Sequence, residues 1–309
     1  MKDLLITMSN LSKQPILITG ASTGIGRKTL EFLTNKGIEV YAGVRKPKDM
    51  QELAKLDNVT PINLDVTKPK EIQEAVDKIN VLGKGLYGVV NNAGIVNVGP
   101  IFTHSEEAMY EMFNVNVFGV HRVTTAMLPF LFKSRGRIVN ISSISGILTS
   151  TYMGLYSMTK HAIEAYTDAL YLNLQEAGIN VCMIEPGNFK SEIGKNMVAR
   201  RLKEKREARL FMTDEQREMQ LNEIKKNFSE LDDDPEPDAV AEAIYDALYA
   251  EEPKPRYMVV GNQDEARWVI KRSLFEMKQM NEKHEYSYSR NQLVALLDQV
   301  LLDKEMDYT

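Results

Sequence analysis

The chain has 309 residues, of which 43% are hydrophobic and 26% charged, a balance that suits one large globular α/β domain and excludes a disordered chain. A formal net charge of −5 argues against a protein built to grip a phosphate backbone, so no nucleic-acid partner is expected. The single cysteine, Cys182, cannot close an internal disulfide; it reads as an inert buried thiol in a cytoplasmic protein. The four histidines show no metal-ligand spacing, so no metal site is expected. The early apolar run "LLITM" is too short for a signal core, and no membrane span is expected.

Apolar runs and helical periods alternate along the chain. "PILITG" (15–20) reads as a buried strand, and "GIGRKTLEFLTNKG" (24–37) as a helix closed by Gly37. Strands follow at 38–44 and 59–66, a helix at 69–79 with Pro69 in its first turn, and a fourth strand with its exit loop at 87–94. A long helix is predicted from Glu106 to Phe132 with Ser105 as cap, a fifth strand at 136–142, a helix over 155–177 ending at Gly178, and a sixth strand at 179–187. A charged helical segment (195–228) and an acidic connector lead to an amphipathic helix, a seventh strand at 256–260 and two closing helices. Near-continuous apolar strands separated by helices imply a doubly wound parallel sheet of Rossmann type, covered on both faces. Pro61 cannot join a central ladder, so the third strand belongs at the sheet edge, as the order 3-2-1-4-5-6 requires.

The loop "TGASTGIG" (19–26) lies where the first strand turns into the first helix. Gly20, Gly24 and Gly26 would let the backbone approach a pyrophosphate, with Ser22, Thr23 and Ile25 between them and the helix N-terminus offering unpaired N–H groups. The spacing G-x-x-x-G-x-G departs from the general G-x-G-x-x-G. At the carboxyl end of the second strand stand Val44, Arg45 and Lys46, which suit a ribose 2′-phosphate better than a free hydroxyl pair, unless the two cations are only solvated loop charges. Glu39 sits at the wrong end of that strand to bind a 2′-hydroxyl.

Tyr156 and Lys160 lie four apart and therefore on one helix face. Hydride exchange at a carbinol needs a group that takes or gives the hydroxyl proton. Free tyrosine titrates near pH ~10, and a neighbouring ammonium is expected to favour its phenolate. The serine pair Ser142 and Ser143 follows the fifth strand, and either could face the tyrosine.

Together these residues resemble the short-chain dehydrogenase/reductase family over about residues 13–260. The ordered set is Thr19-Gly20-x-x-x-Gly24-x-Gly26, Asp65-Val66, Asn91-Asn92-Ala93-Gly94, Asn116, the serine pair, Tyr156-x-x-x-Lys160 and Pro186-Gly187. The resemblance selects Ser143, thirteen residues before Tyr156, as the catalytic serine. It implies that Lys160 serves both the phenol and the nicotinamide ribose, and that Asn116 anchors a water in a proton relay. It places Asp65, Val66, Asn92, Ala93, Gly94, Pro186, Gly187 and Phe189 against the dinucleotide. Ser191 stands where the family has threonine against the carboxamide.

The implied activity is NAD(P)-dependent oxidoreduction of an alcohol or carbonyl, with NADP(H) preferred and NAD(H) accepted. The texture resembles the retinol and hydroxysteroid dehydrogenase branch and hints at an apolar substrate, against which the charge of segment 188–230 weighs. One domain spans 1–309, with 188–230 as a variable substrate loop and 261–309 as a helical extension. A homodimer or homotetramer is expected, because helices 106–132 and 155–177 carry apolar residues on more than one face (Phe113, Val117, Val120, Val123 and Leu128; Ile163, Tyr166, Leu170 and Leu174). The rivals are a catalytically idle dinucleotide-binding sensor or scaffold, and a non-redox family member such as an epimerase.

Overall fold

The computed structural model describes residues 14–190, 197, 200, 213–227 and 234–303. Seven strands form one parallel sheet in the order β3-β2-β1-β4-β5-β6-β7. They are β1 (Ile16–Thr19), β2 (Val40–Val44), β3 (Val59–Asn63), β4 (Gly88–Asn91), β5 (Arg137–Ile141), β6 (Asn180–Pro186) and β7 (Arg256–Val259). Pro61 does lie on the edge strand, paired in register with Ala42.

Side chains alternate across each strand and feed two cores. Ile16, Ile18, Val90, Val139 and Cys182 face one layer, with α1 (Gly24–Asn35) and α8 (Asp238–Tyr249) over them. Leu17, Val89, Ile138 and Val181 face the other, under α3 (Pro69–Leu82) and α5 (Val120–Ser134). Each fully buried aliphatic side chain stabilises the fold by about 1.5–3 kcal/mol. Cys182 is indeed a buried thiol, and burial pushes its titration up to about 12.

Two details go beyond the elements expected from the sequence. A short helix, α2 (Pro47–Leu53), follows β2 in a stretch to which the sequence assigns no element; it starts on Pro47 and buries only Leu53, too little apolar patterning to announce itself. The helix predicted over 106–132 is present as one run, Glu106–Ser134, but it is not α-helical throughout. Ser105 caps α4 (Glu106–Phe113) by accepting from the Ala108 amide, but Asn114–Gly119 then widens into a π turn before α5 begins. Such an insertion is commonly tied to function. The whole run Glu106–Ser134 is long and apolar enough to cross a membrane by length and composition. It instead packs Val123, Met127 and Leu131 onto the sheet as a core helix.

The serine loop follows β5 and leads to α6 (Gly154–Leu174). Within the segment expected to be helical over 195–228, the described helix is α7 (Asp214–Asn227). The chain closes with α9 (Gln263–Met280) and α10 (Arg290–Val300).

Candidate active site

The site forms at the carboxyl ends of β1, β4, β5 and β6, where an open α/β sheet leaves a crevice for ligands. On its first side, Gly20 and Gly24 both take positive φ (67° and 54°), the left-handed region that a side chain would strain. Thr23 is the N-cap of α1 yet makes no side-chain cap bond, and no acidic residue occupies the first turn. The leading amides of α1 are therefore left for an outside acceptor, as a pyrophosphate cradle requires. A Cβ on Gly26 would stand 2.4 Å from Asn92 Nδ2 and 2.5 Å from the Gly20 carbonyl. That close fit places the loop directly against the β4 exit.

Asn92 completes the clamp. Its side-chain amide donates to the carbonyls of Thr19 (3.0 Å) and Gly20 (3.1 Å), while the Asn92 and Ala93 amides both donate to Thr19 Oγ1 at 3.0 Å. Beneath it, a buried polar row crosses the sheet. Asn91 donates to Thr124 and to Asn140 Oδ1, and Asn140 donates onward to Thr167. Sequence reasoning missed Thr124, Asn140 and Thr167. Asparagines inside otherwise apolar strands were the available signal, because a buried amide must find partners.

Arg45 leaves the end of β2 exposed, next to buried Val44. Nearby, Asp65 is partly buried, which raises its titration. Two hydrogen bonds from Thr67 and the positive charge of Arg45 outweigh this and hold it below the ordinary carboxylate value. Val66 sits lower, packed in the core, with Arg122 donating to its carbonyl.

On the second side, Ser143, Tyr156 and Lys160 converge. The Ser143 hydroxyl donates to the Pro186 carbonyl at 3.3 Å, accepts from the Ser145 amide at 3.1 Å and lies within hydrogen-bonding reach of the Tyr156 phenol. Ser142 instead points into α6, where it donates to Glu164. Lys160 Nζ stands 5.5 Å from the Tyr156 ring centre and donates to the Ile141 carbonyl at 2.7 Å. The ammonium was expected to lower the tyrosine's titration. Here burial dominates and raises it to about 12, with the Ser143 bond pulling the other way. Lys160 moves down to about 8, mainly because burial penalises its charge, with Glu164 partly restoring it.

Asn116 sits in the π turn with both amide hydrogens donated and its oxygen accepting one bond. It donates to the Ile95 carbonyl (2.9 Å) and Thr159 Oγ1 (3.0 Å) and accepts from the Ile95 amide (2.8 Å). It thus ties the loop after Gly94 to the helix turn that carries Tyr156, since Thr159 also donates to the Tyr156 carbonyl.

Gly187 donates its amide to Val259. Buried Glu265, from the first turn of α9, accepts from the Asn188 and Gly261 amides, a support that the motif reading missed. Phe189 packs partly buried against the core under α1 and α8. Ser191 lies outside the described residues. Among those residues no cluster of three metal-binding side chains occurs.

Above Tyr156 an apolar wall is built from Val96, Val98, Met197 and Ile224, with Tyr152 and Met153 beside it. Ile224 comes from α7, whose Glu223 bonds the Tyr152 phenol, and Arg200 pairs with Glu111 at 2.9 Å. Among the described residues of this segment, Glu215, Glu218, Glu223 and Lys226 are exposed, while Met197 and Ile224 turn inward.

The short chain dehydrogenase family model matches residues 14–202. An "uncharacterized oxidoreductase YbbO" of Escherichia coli (strain K12) is 32% identical over 256 residues, covering 82% of this chain and 88% of that one. The crystal structure of a short-chain dehydrogenase from Streptomyces avermitilis superposes with a TM-score of 0.71 at 26% identity, covering 87% of this chain and 95% of that one. A structure described as ElxO with NADP bound gives a TM-score of 0.64 at 26% identity, over 80% of this chain and 97% of that one. The chain belongs to the short-chain dehydrogenase family and is an NAD(P)-dependent oxidoreductase.

Proposed function

We propose that the protein reduces an apolar carbonyl compound, or oxidises the corresponding alcohol, with Tyr156 as the acid or base, and that it prefers NADP(H). The observation that carries this reading is the convergence of the Ser143 hydroxyl and the Tyr156 phenol, with the Lys160 ammonium beside them, under an apolar wall. When bound, the nicotinamide supplies or accepts the hydride at the substrate carbon. Ser143 and Tyr156 hold the substrate oxygen between two hydroxyl groups. In reduction, the Tyr156 phenol gives its proton to that oxygen, and in oxidation it takes the proton back. An uncompensated phenolate would be costly in a site that raises the phenol to about 12, so Lys160 offsets the charge as it forms. Asn116 fixes the floor of the site, and a relay water would have to use the acceptor capacity it has left.

The cradle of Gly20, Gly24 and Gly26 would receive the pyrophosphate, and Arg45 the 2′-phosphate. A guanidinium holds a phosphate through paired charge-assisted bonds, and the NADP-bound relative fits that preference. The apolar wall favours a substrate with an aliphatic or alicyclic body. A cytoplasmic homodimer or homotetramer completes the proposal. Val120, Val123, Ile163 and Leu174 of the expected contact faces are buried within the chain, whereas Phe118, Phe132 and Leu172 remain exposed for such a contact.

The test is a panel of aliphatic, alicyclic and sugar-like carbonyls, followed by loss of reduced-nicotinamide absorbance with each cofactor. Turnover confined to sugar-like carbonyls would overturn the substrate class. A chain that binds the dinucleotide but turns over nothing in the panel would overturn the enzymatic reading.

A further inference from the structure

We propose that Glu164, Arg256 and Glu185 form an ionic bracket, its carboxylates buried and its guanidinium partly exposed, that positions Ser143, acting through Ser142 on one side and Pro186 on the other. This role rests on the functional reading above. Tyr156, Lys160, Glu164 and Asp168 recur every four residues on α6 and so form one stripe along its face. The upper half of the stripe carries the reaction; the lower half is acidic.

Arg256, the first residue of β7, closes the lower half. Its Nη1 donates to Glu164 and, at 2.7 Å, to Glu185, while Nη2 donates to both Asp168 oxygens at 2.9 and 2.7 Å. Glu164 is 8% exposed and Glu185 3%, so two carboxylates are held almost out of water beside one guanidinium. Burying charges in this way is expensive and is seldom a net source of stability. Geometry is what the arrangement supplies here.

That geometry leads to Ser143 by two routes. Glu164 accepts from Ser142, whose amide is also held by the Ile184 carbonyl at 2.8 Å. Ser142 is the residue immediately before Ser143. Glu185 immediately precedes Pro186, the carbonyl that receives the Ser143 hydroxyl. The serine loop is also pressed onto Glu164, because a Cβ on Gly146 would stand 2.4 Å from its carboxylate oxygen. With Arg256 removed, Glu164 and Glu185 would repel each other unless one took a proton or turned away, and both routes would slacken. A misplacement on the order of 1 Å can cost about a hundredfold in rate.

The experiment compares Ser142→Ala, Arg256→Met and Arg256→Lys with the parent enzyme and with Tyr156→Phe. It measures kcat, substrate KM, cofactor affinity by nicotinamide fluorescence, and the thermal midpoint. Ser142→Ala and Arg256→Met are expected to lower kcat about tenfold or more, with cofactor affinity kept within about twofold. Arg256→Lys should recover most of the lost kcat by restoring the positive charge. Parental kcat in both Ser142→Ala and Arg256→Met, beside an inactive Tyr156→Phe, would overturn the bracket and leave the functional reading standing. A fall of kcat, cofactor affinity and thermal midpoint in parallel in both variants would overturn it too, as a purely structural effect. An active Tyr156→Phe enzyme would overturn the functional reading, and the bracket's role with it.

Discussion

The two halves of the site are built from different materials. Around β1 and β4 the cradle is held by neutral groups: main-chain amides, the Thr19 hydroxyl and the Asn92 amide. Around β5, β6 and β7 the serine loop is held by charges in Lys160, Glu164, Glu185 and Arg256. In the proposed function, the backbone cradle would fit an anion that is the same in every turnover, and neutral hydrogen bonds give it a fixed shape. The catalytic half would have to accommodate charge that appears and disappears on a phenol. Fixed ions nearby set the potential in which that happens.

The sharpest way to break this comparison is Tyr156→Phe. Phenylalanine keeps the ring packing and loses the exchangeable proton, so turnover should fall by about 10²–10⁴-fold, the usual worth of a positioned acid or base. Cofactor affinity should barely change, because the neutral half is untouched. Steady-state kinetics with a fluorescence titration checks both.

The converse change is Gly26→Ala. Its new methyl must displace Asn92 or the Gly20 carbonyl, which should cost about 1–3 kcal/mol of stability, as overpacking does. Cofactor binding should weaken as well. Denaturant unfolding and the same titration measure the pair of effects, and an undisturbed cofactor affinity would detach Gly26 from the cradle.

Arg45→Ala combined with Val44→Asp tests the rim of the neutral half. Charge-assisted bonds to a phosphate contribute about 1.5–3 kcal/mol each, so kcat/KM should shift toward the non-phosphorylated cofactor by about tenfold or more. A parent enzyme that already prefers NAD(H) would remove Arg45 from this role.

The smallest expected effect is a pH dependence of stability through Glu185. Burial first, and then Glu164, push its carboxyl up from 4.5 to about 7, against the pull of Arg256. Asp168 and Lys160 lie on the same face of α6, and Ser142 faces Glu164 from the serine loop. A carboxyl raised on folding contributes its stability in full below 4.5 and loses it as the pH climbs through about 7. Glu185→Gln should flatten that decline, and unfolding midpoints across the interval would show it. An equal decline in the variant would assign the effect to another group.

The two halves also differ in how far they could be read from the chain. The cradle loop depends on positions where only glycine fits, so Gly20, Gly24 and Gly26 stand out as letters, whereas Asn92, 73 residues from its partner Thr19, was read only through the resemblance. Ser143 was separated from Ser142 only by resemblance, and the physical reason becomes visible in the Glu164 contact. Glu164 and Arg256 are 92 residues apart, and no local pattern links them. The π turn escaped for another reason. "NVNVFG" carries ordinary helical periodicity, and the extra width coincides with Asn116 bonding to Ile95, 21 residues away in the chain. The order of the strands was legible from the alternation of apolar strands and helices, and Pro61 agreed with it by demanding an edge for β3.

Pro61 has a consequence for self-association. An edge strand recruits another chain through its outward amides and carbonyls. At the middle of β3 the proline has no amide to offer, and Lys78 occupies its carbonyl at 2.7 Å. A strand arriving from another molecule would find neither donor nor acceptor at the centre of this edge. In the proposed oligomer, contact would therefore fall to helix faces or the β7 end, and the β3 border is a poor template for aggregation.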